Sequence, residues 1–200
     1  MLFRSRSDFR SLVRQRETMP YLYHTGQYHP GMFTLETTRG ATGAMAALAN
    51  LLLLGKQGFR ALLGHAVEMA ELLREQIASR PELTVVNEDN FGPVTLFRAY
   101  PDGVDTFTVK DLELHDAAYL PRLQAHNDFN RRIYNLVHAN ALAGHGVAIG
   151  LTDCYRHADC GEPILALKSY VLSPFADKSR MESVVQHVLA AREKVQAKAP

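Results

Sequence analysis

Apolar positions along the chain change period several times, and each change marks an element. From Ala41 to Gly55, "ATGAMAALANLLLLG", they run almost unbroken. This predicts a helix from about Thr38 to Leu54 that is apolar all round and therefore buried, with Gly55 as its C′ residue. Phe59, Leu62, Leu63, Ala66, Ala70, Leu73 and Ile77 then recur at helical spacing, predicting an amphipathic helix that stops before Pro81. "LTVV" (Leu83–Val86) and "VTLFRAY" (Val94–Tyr100) read as two strands joined by a polar turn.

Residues 101–117 read as a polar linker. A long helix is predicted from about Tyr119 to Leu142, carrying Leu120, Leu123, Ile133, Leu136 and Val137. "VAIGL" (Val147–Leu151) and "ILALKSYVLSP" (Ile164–Pro174) read as further strands, and Met181, Val184, Val185, Val188 and Leu189 give the stripe of a last helix. Upstream, "MLFR" reads as the tail of a strand, Ser5–Arg16 as a short helix, and Met19–Phe33, with two prolines and no period, as a loop. Helix, strand, strand, helix, strand, strand, helix predicts an α+β layer, a small antiparallel sheet covered by helices.

Composition narrows the class. At 200 residues and 46% hydrophobic the chain can bury a substantial core, and a formal net charge of +1 gives no electrostatic case for nucleic acid or an anionic membrane. The longest apolar stretch, Ala44–Leu54, contains Asn50 and is too short to span a bilayer. Two cysteines, Cys154 and Cys160, make no disulfide framework, and with no signal peptide read ahead of them a reducing cytoplasm is the expected setting.

Candidate chemistry gathers at a few places. "TLETTRG" (Thr34–Gly40) puts hydroxyls and a guanidinium at the start of the apolar helix, where free N–H groups and the macrodipole favour an anion. The same residues also read as an N-cap, Thr38, with Glu36 neutralising Arg39 at i,i+3. Arg98 reads as a strand residue in a structural ion pair. Cys154, His157 and Cys160 form C-x-x-H-x-x-C, three ligands without the fourth that a structural zinc site needs, so they read as a solvent-facing polar loop and no metal is assigned. His65 and His187 lie on helices and His145 in a turn, none beside a serine or aspartate that would suggest a hydrolase.

The order "MLFR", "PYLY", "TLETTRG", "VTLFRAYP", "LKSYVLSP" resembles the C-terminal part of group II pyridoxal-phosphate-dependent decarboxylases, over nearly the whole chain. The insertion 103–141 looks most like the branch acting on acidic amino acids. The resemblance implies the C-terminal small α/β domain of the fold type I, aspartate aminotransferase-like architecture: residues 1–40 a remnant of the large cofactor domain with its mobile loop, 41–80 linking helices, 81–200 the small domain. It further implies pyridoxal 5'-phosphate as cofactor, an amino acid substrate, aspartate or glutamate, that loses CO2, and a homodimer sharing its sites.

By the same resemblance Tyr21 is the loop tyrosine that returns a proton to Cα after CO2 leaves. Thr37 and Thr38 reach the cofactor phosphate, and Arg39 and Lys168 hold the substrate. Tyr23 and His24 lie close enough to be confused with Tyr21. At Lys168 the family usually has arginine; lysine keeps the charge and loses the planar fork. The family's cofactor lysine follows a histidine, and none of the six lysines here does. The chain is accordingly expected to start after that anchor and to be inactive alone. A non-catalytic dimerisation or binding remnant is the alternative.

Overall fold

Gly55 divides the first helix. The computed structural model describes residues 42–197. Its first element, α1, spans Thr42–Ala78 and is interrupted at Gly55, whose φ of 56° and ψ of −173° break the helical path. A φ of that sign is open to glycine at little cost, so the residue read as a C′ stop ends one helical stretch and a second begins beyond it. The chain divides there into two units, Met1–Gly55 and Lys56–Pro200.

In the first unit the expectation of a buried helix fails. Met45, Leu48, Leu51, Leu52 and Leu53 are 56–82% exposed. An all-round apolar helix predicts that something covers it.

The second unit holds four antiparallel strands: β1 (Leu83–Val85), β2 (Val94–Ala99), β3 (Gly150–His157) and β4 (Pro163–Tyr170), ordered β1-β2-β4-β3. Register runs Leu83↔Ala99 through Val85↔Phe97, then Val94↔Tyr170 through Phe97↔Leu167. Strand side chains alternate between faces, so Leu83, Val85, Phe97, Ala99 and Leu167 supply one face of the core. Against it pack Ala70, Leu73 and Ile77 of α1, with Phe129, Ile133 and Val137 of α3 (Leu120–Leu142). The inner stripe of α4 (Lys178–Gln196) completes the cluster with Met181, Val184, Val185, Val188, Ala191 and Val195. Each fully buried Leu, Ile or Phe contributes about 1.5–3 kcal/mol, enough to make this three-helix face the main source of stability. On α1 that face begins only near Ala66, because Leu62 and Leu63 remain exposed.

Two expectations need correcting. The supposed linker 101–117 contains α2 (Val109–His115), followed by a 3-10 turn at Ala117–Tyr119. Its two buried residues are Val109 and Glu113, so a buried carboxylate stands where an apolar stripe would have revealed the helix. The strand expected at Val147–Leu151 lies further on, at Gly150–His157, and takes in the C-x-x-H part of the presumed loop. As an edge strand, β3 leaves much of its length to solvent and so tolerates "TDCYRH". No helix among the described residues is long and apolar enough to cross a membrane.

Candidate functional site

Lys168 occupies the middle of β4, opposite Leu96 on β2 and Gly150 on β3. Its neighbour Leu167 belongs to the core, so alternation puts Lys168 on the other sheet face. The half-buried side chain runs across β3 above Gly150: a Cβ built there would lie 3.0 Å from Lys168 Cε. Among the described residues no carboxylate pairs with this ammonium. A half-buried cation on a rigid strand, with no counter-charge among the described residues, suits a carboxylate or phosphate group. Tyr21, Thr37, Thr38 and Arg39 lie outside the described residues, so only Lys168 of the predicted site residues is placed.

The same face carries a buried polar cluster. Arg98, fully buried on β2, donates from Nη2 to Glu113 Oε1 at 2.9 Å, and from Nη1 to Asn127 Oδ1 at 2.9 Å and to the Leu165 carbonyl. Tyr100 Oη donates to Glu113 Oε2 at 2.9 Å and accepts from Arg98 Nε at 3.2 Å. His126 on α3 places Nδ1 2.8 Å from Glu113 Oε1. Burial, with the Glu113 carboxylate beside it, pushes the Tyr100 hydroxyl far above the usual phenol range.

Charge on Glu113 is thus met by a guanidinium, a phenol and an imidazole, and each donor is itself satisfied. The cluster pins α2 and α3 to the sheet, which is a structural role. It fulfils the expectation of a structural ion pair for Arg98. Its partners Glu113 and His126 were missed, although a lone arginine between Phe97 and Ala99 on an apolar strand signals that a buried carboxylate must exist somewhere.

The cysteine motif divides between strand and turn. Cys154 Sγ lies 3.6 Å from His157 Nδ1 on β3, while Cys160 sits in the β3–β4 turn, and both thiols are exposed. Among the described residues no three His, Cys, Asp or Glu side chains converge on a metal-sized space. His65 Nε2 contacts the Ala176 carbonyl at 2.7 Å and His187 Nδ1 contacts the Ser183 carbonyl at 2.7 Å, which are local structural roles.

No protein-family model and no curated protein sequence matches the chain. Solved structures do. Mouse CSAD is similar over 94% of this chain and 34% of its own, with a TM-score of 0.60 and 13% identity. The glutamate decarboxylase domain of diaminobutyrate-pyruvate transaminase and L-2,4-diaminobutyrate decarboxylase from Vibrio parahaemolyticus is similar over 76% of this chain and 26% of its own, at TM-score 0.53 and 15% identity. Oryza sativa TDC, solved with PLP and tryptamine, is similar over 73% of this chain and 25% of its own, at TM-score 0.51 and 13% identity. The chain thus spans about a quarter to a third of the solved chains it matches. Its antiparallel four-stranded sheet under a layer of helices is the fold of the C-terminal portion of pyridoxal-phosphate-dependent decarboxylases of fold type I.

Proposed function

We propose that this chain is the C-terminal part of a pyridoxal-phosphate-dependent amino acid decarboxylase acting on an acidic amino acid, aspartate or glutamate. The observation that carries the substrate class is Lys168, a half-buried cation on β4 with no carboxylate partner among the described residues. The match to mouse CSAD over 94% of the chain supports the family. Pyridoxal 5'-phosphate, when bound, takes up the electron pair left as CO2 departs.

Within this reading Lys168 holds the side-chain carboxylate as a point charge, and Arg39 holds the second carboxylate through its fork. Fixing both ends leaves the scissile bond one orientation, which is most of what such a reaction asks of a protein. Thr37 and Thr38 offer hydroxyls to the cofactor phosphate, and Tyr21 delivers the proton to Cα. The exposed Met45, Leu48, Leu51, Leu52 and Leu53 support a homodimer, since a second copy or a larger cofactor domain would bury them. A cytoplasmic setting fits two unpaired thiols.

One observation favours a second reading, a non-catalytic dimerisation or binding remnant: no lysine of the 200 residues follows a histidine. Sequencing the coding DNA upstream of the Met1 codon separates the two. An in-frame extension with a His-Lys pair and an upstream aspartate supports the enzyme. A stop codon directly upstream supports the remnant. The isolated chain is expected to show no cofactor–lysine absorbance band in either case.

A further inference from the structure

Beside the open edge of the sheet lies a cavity of about 660 Å3, formed between the C-terminal end of α1 and the Thr106–Lys110 segment and floored by β1. Its volume falls in the range of small-molecule sites. The apolar walls come from Leu83, Val85 and Pro81. Phe107 stands at the side and is 92% exposed. Three cations border the space. Lys110 is taken up by Glu88 at 3.0 Å. Arg74 reaches only neutral acceptors, the Gly92 carbonyl at 3.3 Å and Thr95 Oγ1 at 3.4 Å, and Arg80 pairs with no carboxylate among the described residues. Glu75 is the one lining acid not committed to a lysine.

The strand register adds a backbone donor. Val86 N–H donates to the Leu96 carbonyl and Tyr100 N–H to the Glu82 carbonyl, so on either side of β1 the even-numbered residues Glu82 and Val86 bond toward β2, and Thr84 between them shares that phase. In an antiparallel ladder the alternate residues turn outward. Leu83 N–H is taken by the Arg80 carbonyl, whereas the register turns Val85 N–H away from β2, where it meets no acceptor among the described residues. An N–H that faces away from its ladder is free to donate to a ligand, and Val85 lines the cavity.

We propose that this cavity binds a small organic anion, a carboxylate on a compact apolar body such as an aryl-acetate, with the carboxylate between Arg74, Arg80 and the Val85 N–H and the apolar part against Val85 and Phe107. The inference does not rest on the decarboxylase reading, because none of these residues belongs to the site around Lys168.

Fluorine NMR of para-fluorophenylacetate with the full chain tests it. The acid broadens with a Kd on the order of 1 mM, while its neutral amide binds about tenfold more weakly for want of a charge-assisted contact. Arg80→Gln and Arg74→Gln each weaken the acid by about tenfold, Phe107→Ala weakens acid and amide alike, and the remote Arg156→Gln changes nothing. Arg74 also bonds the Gly92 carbonyl, so the urea midpoint of each variant is measured alongside and Arg80→Gln decides should Arg74→Gln unfold. Inorganic phosphate competes weakly, since it has the charge without the apolar body. Equal binding of acid and amide, unchanged affinity in Arg80→Gln, or no binding at about 10 mM would overturn the proposal.

Discussion

Arg98 on β2 and Glu113 on α2 meet at 2.9 Å, with side chains 0% and 1% exposed. Removing one member of such a pair strands the other charge where water cannot reach it, at a cost of about 3–5 kcal/mol. Glu113→Ala is therefore expected to shift the urea midpoint steeply downward. Replacing the pair together, Arg98→Met with Glu113→Leu, should recover most of the loss, because the Coulombic gain of a buried pair roughly offsets its desolvation. Equal loss in the single and double variants would mean that packing, rather than charge, dominates here.

Tyr100 bonds both of those residues, so Tyr100→Phe should cost about 1–2 kcal/mol. Its titration gives a second readout. Burial raises the Tyr100 pKa in the folded state above its unfolded value of about 10. A raised pKa contributes stability that is present below pH ~10 and lost as pH rises beyond it, since the unfolded chain sheds the proton first. Ultraviolet titration should find at least one of the eight tyrosines refusing to ionise until the protein unfolds. If all eight ionise together in folded protein, the burial is wrong.

Asp177 caps α4, accepting from the Arg180 backbone N–H at 2.9 Å and from Ser179 Oγ at 2.8 Å. These bonds, the Arg180 amide first, lower its pKa. A lowered pKa gives stability that is complete above the unfolded value of about 4 and declines as pH falls through the folded one. Asp177→Asn keeps a capping oxygen but cannot titrate. The variant should match the parent's urea midpoint at pH 7 and lose less of it on acidification below pH ~4. An unchanged acid limb would remove Asp177 from the account.

How much of this was legible depends on where apolar residues coincide with burial. The face Ala66–Ile77, the strand Val94–Ala99 and the stripe Met181–Val188 follow ordinary periods, and the structure has them there. The helix Val109–His115 was hidden because its inward positions are a valine and a glutamate, and only the guanidinium of Arg98 explains why a carboxylate points inward. β3 was misplaced because one edge strand can be polar over much of its length. The run Met45–Leu53 has the composition of a buried helix but is exposed among the described residues, since composition reports the need for a cover and not where it comes from. At the candidate site the sequence supplied the charge of Lys168 by resemblance, but not its seat over Gly150, which required the β3–β4 register.

The seat makes a prediction of its own. Gly150→Ala would bring a Cβ to 3.0 Å from Lys168 Cε, and the flexible side chain must swing aside. Under the proposed decarboxylase reading this should raise KM for an acidic amino acid several-fold with little effect on stability, as expected for a contact made equally in ground and transition states. A fall in kcat with KM unchanged would place Gly150 in some other role.

Carboxyl release tests the central claim most directly. The intact parent protein, supplied with pyridoxal 5'-phosphate, is given carboxyl-labelled aspartate, glutamate and tryptophan, and labelled CO2 is counted. The acidic amino acids should release it and tryptophan should not; Lys168→Arg should keep that discrimination, and Lys168→Ala should raise KM for the acidic substrate by at least about tenfold. Release from tryptophan alone, or from none of the three, would contradict the account.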